Sequence, residues 1–260
     1  GGTYAIKSLR AAVKSLKDGE IDVLVTAPIN KANIQDEDFK FPGHTDYLNQ
    51  ELKGESLMFM VSQDIKIGLL TDHVPVKDAP AKITKQLIHQ KFRTIKESLV
   101  KDFAIAKPKV AFLGINPHVG DKGVIGREDE EILIPALKEL QDKGEIAYGP
   151  YAADSFFGSG NYKNFDAIIA AYHDQGLIPF KTLAFGKGVN FTAGLDKIRT
   201  SPDHGTAFEI AGKGEADAGS FKEAVFAAIE IFKSRSLYEE LTANALKKQA
   251  RKARPSKRDF

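Results

Sequence analysis

Three histidines occupy equivalent places along the chain. Ile65–Leu70 is followed by Thr71-Asp72-His73, Lys109–Ile115 by Asn116-Pro117-His118, and Asp166–Ala171 by Tyr172-His173-Asp174. Each preceding run is short, continuous and apolar, as in a strand buried on both faces. In a parallel α/β sheet the loops beyond the strands' carboxyl ends converge on one edge, where ligands bind. A lone histidine past a strand is more often structural than a ligand, but three in equivalent positions point to a shared divalent cation. Neutral imidazole is the commonest metal ligand, and three leave coordination positions open for a substrate. Asp72 and Asp174 adjoin two of the rings and are placed to orient them. His89 falls mid-helix and reads as a packing or surface residue. His204, in Ser201-Pro202-Asp203-His204-Gly205, suits a turn as well as a site.

After His173 comes a polar, glycine-rich segment with Lys181, Gly186, Lys187, Gly188, Asn190 and Arg199. Glycine lets backbone approach a ligand, and Lys and Arg suit phosphate or carboxylate; a charged surface loop is the plain alternative. The charges of Lys181 and Arg199 make both poor candidates for core packing. Phe41-Pro42-Gly43-His44-Thr45 is a second loop with polar groups after glycine, and Lys31 lies past another strand end. No G-x-G-x-x-G follows a readable strand, so an ordinary Rossmann site is not expected. Asp154, Asp174 and Lys181 remain open as the general base.

The elements carrying these groups alternate. Ile6, Leu9, Ala12, Val13 and Leu16 recur at helical spacing, and Ile21–Val25 then reads as a strand ending at Thr26-Ala27-Pro28. Helices are expected over Ile83–Val100 and over Glu128–Leu140, the second kinked at Pro135. Ser220-Phe221-Lys222-Glu223 has the form of a capping box, opening a helix with Val225, Phe226, Ile229 and Phe232 on one face. The pattern predicts a mainly parallel sheet covered on both faces. No internal repeat or low-complexity linker marks a boundary.

Composition narrows the partners. The 260 residues carry a net charge of +2, with 42% hydrophobic and 28% charged residues, as in a soluble globular protein. A cytoplasmic setting is expected, with neither membrane nor nucleic acid as partner. No apolar run reaches the ~20 residues that span a bilayer, and the basic cluster from Lys247 to Arg258 lacks the interleaved aromatics of a nucleic-acid surface. The absence of cysteine excludes disulfides and thiolate ligands.

Several blocks together carry a resemblance. Thr26-Ala27-Pro28-Ile29-Asn30-Lys31, Pro42-Gly43-His44-Thr45, Asn116-Pro117-His118, Tyr172-His173-Asp174-Gln175-Gly176, Gly188-Val189-Asn190 and Ile198-Arg199-Thr200-Ser201-Pro202-Asp203-His204-Gly205-Thr206-Ala207 resemble the 4-hydroxythreonine-4-phosphate dehydrogenase family, in the family's order over nearly the whole chain. The resemblance implies an isocitrate/isopropylmalate dehydrogenase-like α/β fold, with two α/β/α lobes around a cleft. Residues 1–40 with 205–260 would form the first lobe and 41–204 the second. It implies a homodimer whose active sites lie at the subunit interface. By motif, His73, His118 and His173 match the metal ligands, for zinc, magnesium or cobalt. His44, Thr45, Lys181, Asn190 and Arg199 match the substrate-binding residues. The implied reaction is NAD- or NADP-dependent oxidation of 4-phosphooxy-L-threonine, with decarboxylation to 3-amino-2-oxopropyl phosphate for pyridoxal 5′-phosphate synthesis. The alternatives are a sister enzyme acting on a threonate phosphate or a dihydrodiol carboxylate, or an inactive metal- or phosphate-binding fragment. The chain starts at Gly1-Gly2, and the family's N-terminal strand and Gly/Pro-rich loop have no counterpart before it. The resemblance therefore implies that roughly a quarter of a full-length chain is absent and the first lobe incomplete.

Overall fold

The computed structural model describes residues 2–30, 33–35, 39–41 and 43–246. Lys31, Pro42 and the basic cluster from Lys247 onward lie outside the described residues. Helix α1 (Gly2–Asp18) buries Ile6, Leu9, Val13 and Leu16 as one stripe and leads to strand β1 (Val23–Val25). Helix α2 (His44–Glu51), strands β2 (Gly54–Val61) and β3 (Lys66–Leu69), and helices α3 (Ala79–Lys82) and α4 (Lys85–Lys101) follow. Thr84 caps α4, its hydroxyl accepting from the Leu87 N–H at 3.1 Å. Then come β4 (Val110–Leu113), α5 (Ile134–Asp142), β5 (Ala147–Tyr151), α6 (Ala153–Gly158), β6 (Ala167–Ala170) and α7 (His173–Leu183). Strands β7 (Val189–Leu195) and β8 (Ile198–Pro202) and helix α8 (Gly219–Thr242) complete the described chain.

The eight strands form one sheet in the order β1-β8-β7-β2-β3-β6-β4-β5. The four expected strands are present as β1, β3, β4 and β6. The sheet is mixed, however, because β2 pairs antiparallel with β3 and β7, and β7 with β8. Two tight connections impose this: Ser62–Ile65 turns β2 into β3, and Asp196-Lys197 turns β7 into β8. Strand β2 is buried on both faces. Leu57, Phe59 and Val61 join the core beneath α4, α5 and α8, and Met58 and Met60 join the core beneath α7.

Three local expectations need correction. The α-helix expected over Glu128–Leu140 is instead a π-turn over Asp129–Leu133 running directly into α5, and Pro135 sits in the first turn of α5, where a missing N–H is tolerated. Ser220 forms no capping box. Its hydroxyl accepts from the Asp203 N–H at 3.2 Å and lies 3.3 Å from the Gly188 carbonyl, so it ties α8 to the end of β8 instead. Helix α8 packs through Ala224, Ala228, Ile231 and Arg235, while Phe226 is 60% exposed and Ile229 and Phe232 also face outward. Small side chains let α8 lie close enough to the sheet for the Thr200 hydroxyl to donate to the Ala224 carbonyl at 2.8 Å. His89 is a packing residue, its Nε2 lying 3.1 Å from the Ala136 carbonyl between α4 and α5.

Candidate active site

Strand order decides which histidines meet. Strands β3, β6 and β4 are parallel neighbours, about 4.8 Å apart, so their carboxyl-terminal loops lie side by side. The first two bring His73 and His173 together, with ring centroids 6.0 Å apart. Two imidazoles sharing a tetrahedral ion have centroids roughly 5–6 Å apart, given metal–nitrogen bonds of ~2.0–2.1 Å, so the pair fits one cation. The Nδ1 of His173 lies 2.7 Å from Asp174 Oδ1. Donation there leaves the His173 Nε2 lone pair available to a metal. Asp72 does not orient a ring as expected. Its carboxylate accepts from the His73 backbone N–H at 2.8 Å and fixes the loop.

His118 stands apart. Within the described residues of one chain no three His, Asp or Glu side chains converge as a metal site. The loop after β4 turns in the left-handed sense, with φ of 51° at His118, 57° at Val119, 77° at Gly120, 43° at Asp121 and 54° at Lys122. Left-handed backbone costs an L-residue about 1–2 kcal/mol, more so for β-branched Val119. Asp129 holds the loop's entry. Its fully buried carboxylate accepts from the Ile115 N–H at 2.7 Å, the Asn116 N–H at 2.9 Å and the Asn116 side-chain amide at 3.1 Å. His118 consequently lines a separate cavity of about 280 Å³, beside Asn116, Asp154, Tyr172 and Gln175. Gln175 links the strand ends, accepting from the Ala171 N–H and donating to the Gly114 carbonyl, each at 2.7 Å.

The five residues matched to substrate binding do come together. His44, Thr45, Lys181, Asn190 and Arg199 line a single cavity of about 320 Å³, and His73 lies in its wall. Gly43 precedes α2, placing His44 and Thr45 in that helix's first turn, where backbone N–H groups are open to an anion. The stretch expected to be a polar loop is the β7–β8 hairpin. Asn190 pairs with Ser201 and Phe191 with Thr200, so Thr192 and Arg199 are the next partners on the cavity face.

Arg199 is 3% exposed, against the expectation that its charge would keep it out of the core. Its Nε and Nη2 donate to the Thr26 hydroxyl at 3.0 and 2.7 Å, and Nη1 donates to the Thr192 hydroxyl at 3.2 Å. Thr26, just past β1, is therefore part of the site that the sequence did not single out. No ion pair neutralises Arg199 among the described residues, and burial lowers its pKa to about 10. The Asn190 Oδ1 is buried without a hydrogen-bond partner. An uncompensated buried cation and an unused buried acceptor together describe a place for a polar, anionic ligand.

Lys181, about half exposed, reaches Asp203 at 3.4 Å. Burial raises the Asp203 carboxyl above its ordinary range, and Lys181 partly offsets this. His204 also lines the cavity while its Nδ1 lies 2.8 Å from the Gly205 carbonyl, so it serves the turn as well. Of the open general-base candidates, Lys181 alone lines this cavity. Asp154 lies with His118, and Asp174 is engaged by His173. A neighbouring cavity of about 300 Å³ shares Pro28, Ile29, His204 and Gly205, with Ala5, Ile34 and Phe208 making it more apolar.

Comparison with known proteins agrees over most of the chain. The family model described as pyridoxal phosphate biosynthetic protein PdxA matches residues 1–228. The 4-hydroxythreonine-4-phosphate dehydrogenase of Bacteroides thetaiotaomicron is 50% identical over 250 residues, 95% of this chain and 69% of that protein. The crystal structure of the enzyme of that name from Klebsiella pneumoniae aligns with a TM-score of 0.78 at 32% identity, over 89% of this chain and 70% of that one. A terephthalate 1,2-cis-dihydrodiol dehydrogenase from Burkholderia xenovorans aligns with a TM-score of 0.65 at 27% identity, over 88% and 73%. The fold is the expected isocitrate/isopropylmalate dehydrogenase-like α/β architecture. With half of its residues shared with one relative and a family match across the cavity-forming segments, the chain belongs to the PdxA family of pyridoxal phosphate biosynthetic proteins.

Proposed function

We propose that this chain is a 4-hydroxythreonine-4-phosphate dehydrogenase, oxidising 4-phosphooxy-L-threonine with NAD or NADP and a divalent metal, with decarboxylation to 3-amino-2-oxopropyl phosphate. The observation that carries the reading is the cavity in which the uncompensated Arg199 guanidinium, Lys181, His44 and Thr45 surround space beside the His73–His173 pair. Such a cavity suits a small substrate with two anionic ends and a hydroxyl between them. The relatives' printed names support the same reaction.

His73 and His173, with His118 of the partner subunit, would hold zinc, magnesium or cobalt, which supplies Lewis acidity toward the substrate hydroxyl. We place the nicotinamide cofactor, which supplies the hydride acceptor, at the neighbouring cavity lined by Pro28, Ile29 and Phe208. The residues of this chain do the rest. Arg199 and Lys181 bind the anionic ends, and the first turn of α2 offers N–H groups to an anion held by His44 and Thr45. Asn190 Oδ1 accepts a hydrogen bond from a substrate donor. Asp174 keeps His173 in one tautomer.

The separation of His118 from the other two histidines supports a homodimer that completes each site. The lobe division, 1–40 with 205–260 against 41–204, would run through the cavity: Ala27–Ile29 and Gly205 lie on one side, and the metal and anion ligands on the other. We assign the protein to the cytoplasm. A second reading, a sister dehydrogenase for a dihydrodiol carboxylate, draws on the Burkholderia xenovorans likeness, but that substrate has no phosphate to use the second cationic end. Steady-state reduction of NAD and NADP by the metal-loaded protein decides the matter. Turnover of 4-phosphooxy-L-threonine with release of carbon dioxide is expected; turnover of a dihydrodiol carboxylate instead would overturn the assignment.

A further inference from the structure

Among the cations of the cavity sits a mostly buried carboxylate, Asp203, besides the exposed Asp46. We infer that Asp203 is a positioning residue, which holds the Lys181 ammonium over the cavity so that it meets the substrate's anionic end in one place. The inference rests on the reading of this cavity as an anion-binding substrate site.

Lys181 lies near the end of α7 with a side chain about half exposed, and a lysine so placed samples many rotamers unless something holds it. Asp203 Oδ1, 3.4 Å from Nζ, is the group that does so. The residue that carries this carboxylate is itself held at the backbone. Its backbone N–H donates to Ser220 Oγ at 3.2 Å, and that hydroxyl reaches the Gly188 carbonyl at 3.3 Å. The register pairs Val189 with Pro202, so Gly188 and Asp203 are the next neighbours along the hairpin. A Cβ built on Gly188 would lie 2.9 Å from Asp203 Oδ2 and 2.8 Å from Phe180 Cε1. A side chain at residue 188 would therefore press on the carboxylate where it now lies.

Stability does not account for this arrangement. An ion pair with one exposed partner contributes little, and burial, the largest influence on Asp203, works against its charged form. An asparagine would fill the same space without that cost. What it could not do is attract and orient an ammonium. A positioned cation needs less ordering when the ligand arrives, and so binds more tightly and in a fixed register.

The test is a double-mutant cycle on the intact, metal-loaded protein: wild type, Asp203→Asn, Lys181→Met and the double variant. Inorganic phosphate binding is measured by calorimetry and 4-phosphooxy-L-threonine turnover by steady-state kinetics. Asp203→Asn is expected to weaken phosphate binding and raise KM by about three- to tenfold, leaving kcat changed by less, without lowering the thermal midpoint. The double variant is expected to bind phosphate no more weakly than Lys181→Met alone. Asp203→Glu, which retains the charge, should recover part of the affinity, and it serves as the second variant if Asp203→Asn does not fold. Unchanged affinity in Asp203→Asn, or effects that multiply in the double variant, would overturn the inference. Phosphate binding by a wild type without dehydrogenase activity would sink the functional assignment while the calorimetric cycle still decided the role of Asp203. A wild type that binds no phosphate would remove both the anion site and this inference.

Discussion

The guanidinium of Arg199 donates twice to the hydroxyl of Thr26, from Nη2 at 2.7 Å and from Nε at 3.0 Å. That one oxygen joins the segment after β1 to β8 and uses both its lone pairs on a single buried cation. Thr26→Val keeps the shape and removes the acceptor, so it should destabilise the protein by ~1–3 kcal/mol in urea unfolding. Arg199→Met removes the charge altogether and should stay folded, because a buried cation without a counter-ion is costly to retain. Its substrate affinity should nevertheless fall by ~1.5–3 kcal/mol, tenfold or more. Equal stability losses in both variants would contradict this account.

A bound anion should offset the cost of burying Arg199. With the folded pKa at about 10, well below the ordinary arginine value, the unfolded state holds this proton more tightly. The resulting penalty is fully present at neutral pH and is relieved as pH rises through 10. Inorganic phosphate should therefore raise the thermal midpoint at neutral pH, by the equivalent of ~2.7 kcal/mol at a hundred times its Kd. The same phosphate should raise the midpoint of Arg199→Met much less. Identical shifts would place the anion elsewhere.

Asp203 has the opposite charge and the opposite direction of pH dependence. Its folded pKa is raised, mainly by burial and against the opposing influence of Lys181 and His204. Its contribution to stability is thus complete below the ordinary carboxyl range and is lost as pH rises through the raised value. Asp203→Asn should melt at or above the wild type at pH 7, with the difference vanishing in acid. A variant less stable at pH 7 would show that the carboxylate supports the fold.

Complementation tests the shared metal site. His73→Ala and His118→Ala should each abolish metal-dependent activity. If every site draws His118 from the other subunit, unfolding and refolding an equal mixture restores one intact site in each mixed dimer, or about a quarter of wild-type activity. Recovery of nothing, with mixed dimers demonstrated, would show that all three ligands come from one chain.

The interior ion pair of Arg235 and Asp102, 2.8 Å apart, ties α8 to the end of α4. Asp102→Ala strands the guanidinium in the core and should cost ~3–5 kcal/mol. A smaller loss in urea unfolding would mean that water reaches Arg235.

The places where the sequence was legible share one property: the residue types reported their surroundings without competition. The apolar runs ending at Val25, Leu70, Ile115 and Ala171 became strands because little but a buried strand suits them. Strands β7 and β8 look like a loop in the sequence because Asn190, Arg199 and Ser201 line the cavity and Thr192 serves Arg199, so that their polarity mimics exposure. Asp129 was hidden in Glu128-Asp129-Glu130-Glu131, which looks like a solvated helix start although Asp129 is wholly buried. The five residues matched by motif line one cavity, and the structure adds Thr26 and Asp203, whose contacts depend on pairings 173 and 22 residues distant along the chain. Nothing in the spacing of the three histidines shows that one would turn away, since the Val119 side chain argues against the backbone it adopts.

That mirror-sense turn gives the protein an order of failure. His118, Val119, Asp121 and Lys122 are held against their own preference, so the loop's conformation is borrowed from the clasp that Asp129 makes on Ile115 and Asn116. On heating, such a segment should come loose in a local opening of its own, well before the sheet melts, and its amides should exchange early. With it would go His118 and whatever it holds. The temperature at which the protein stops working should accordingly lie below the temperature at which it unfolds, and the gap between the two should narrow when Val119 is replaced by glycine, which adopts that backbone without strain.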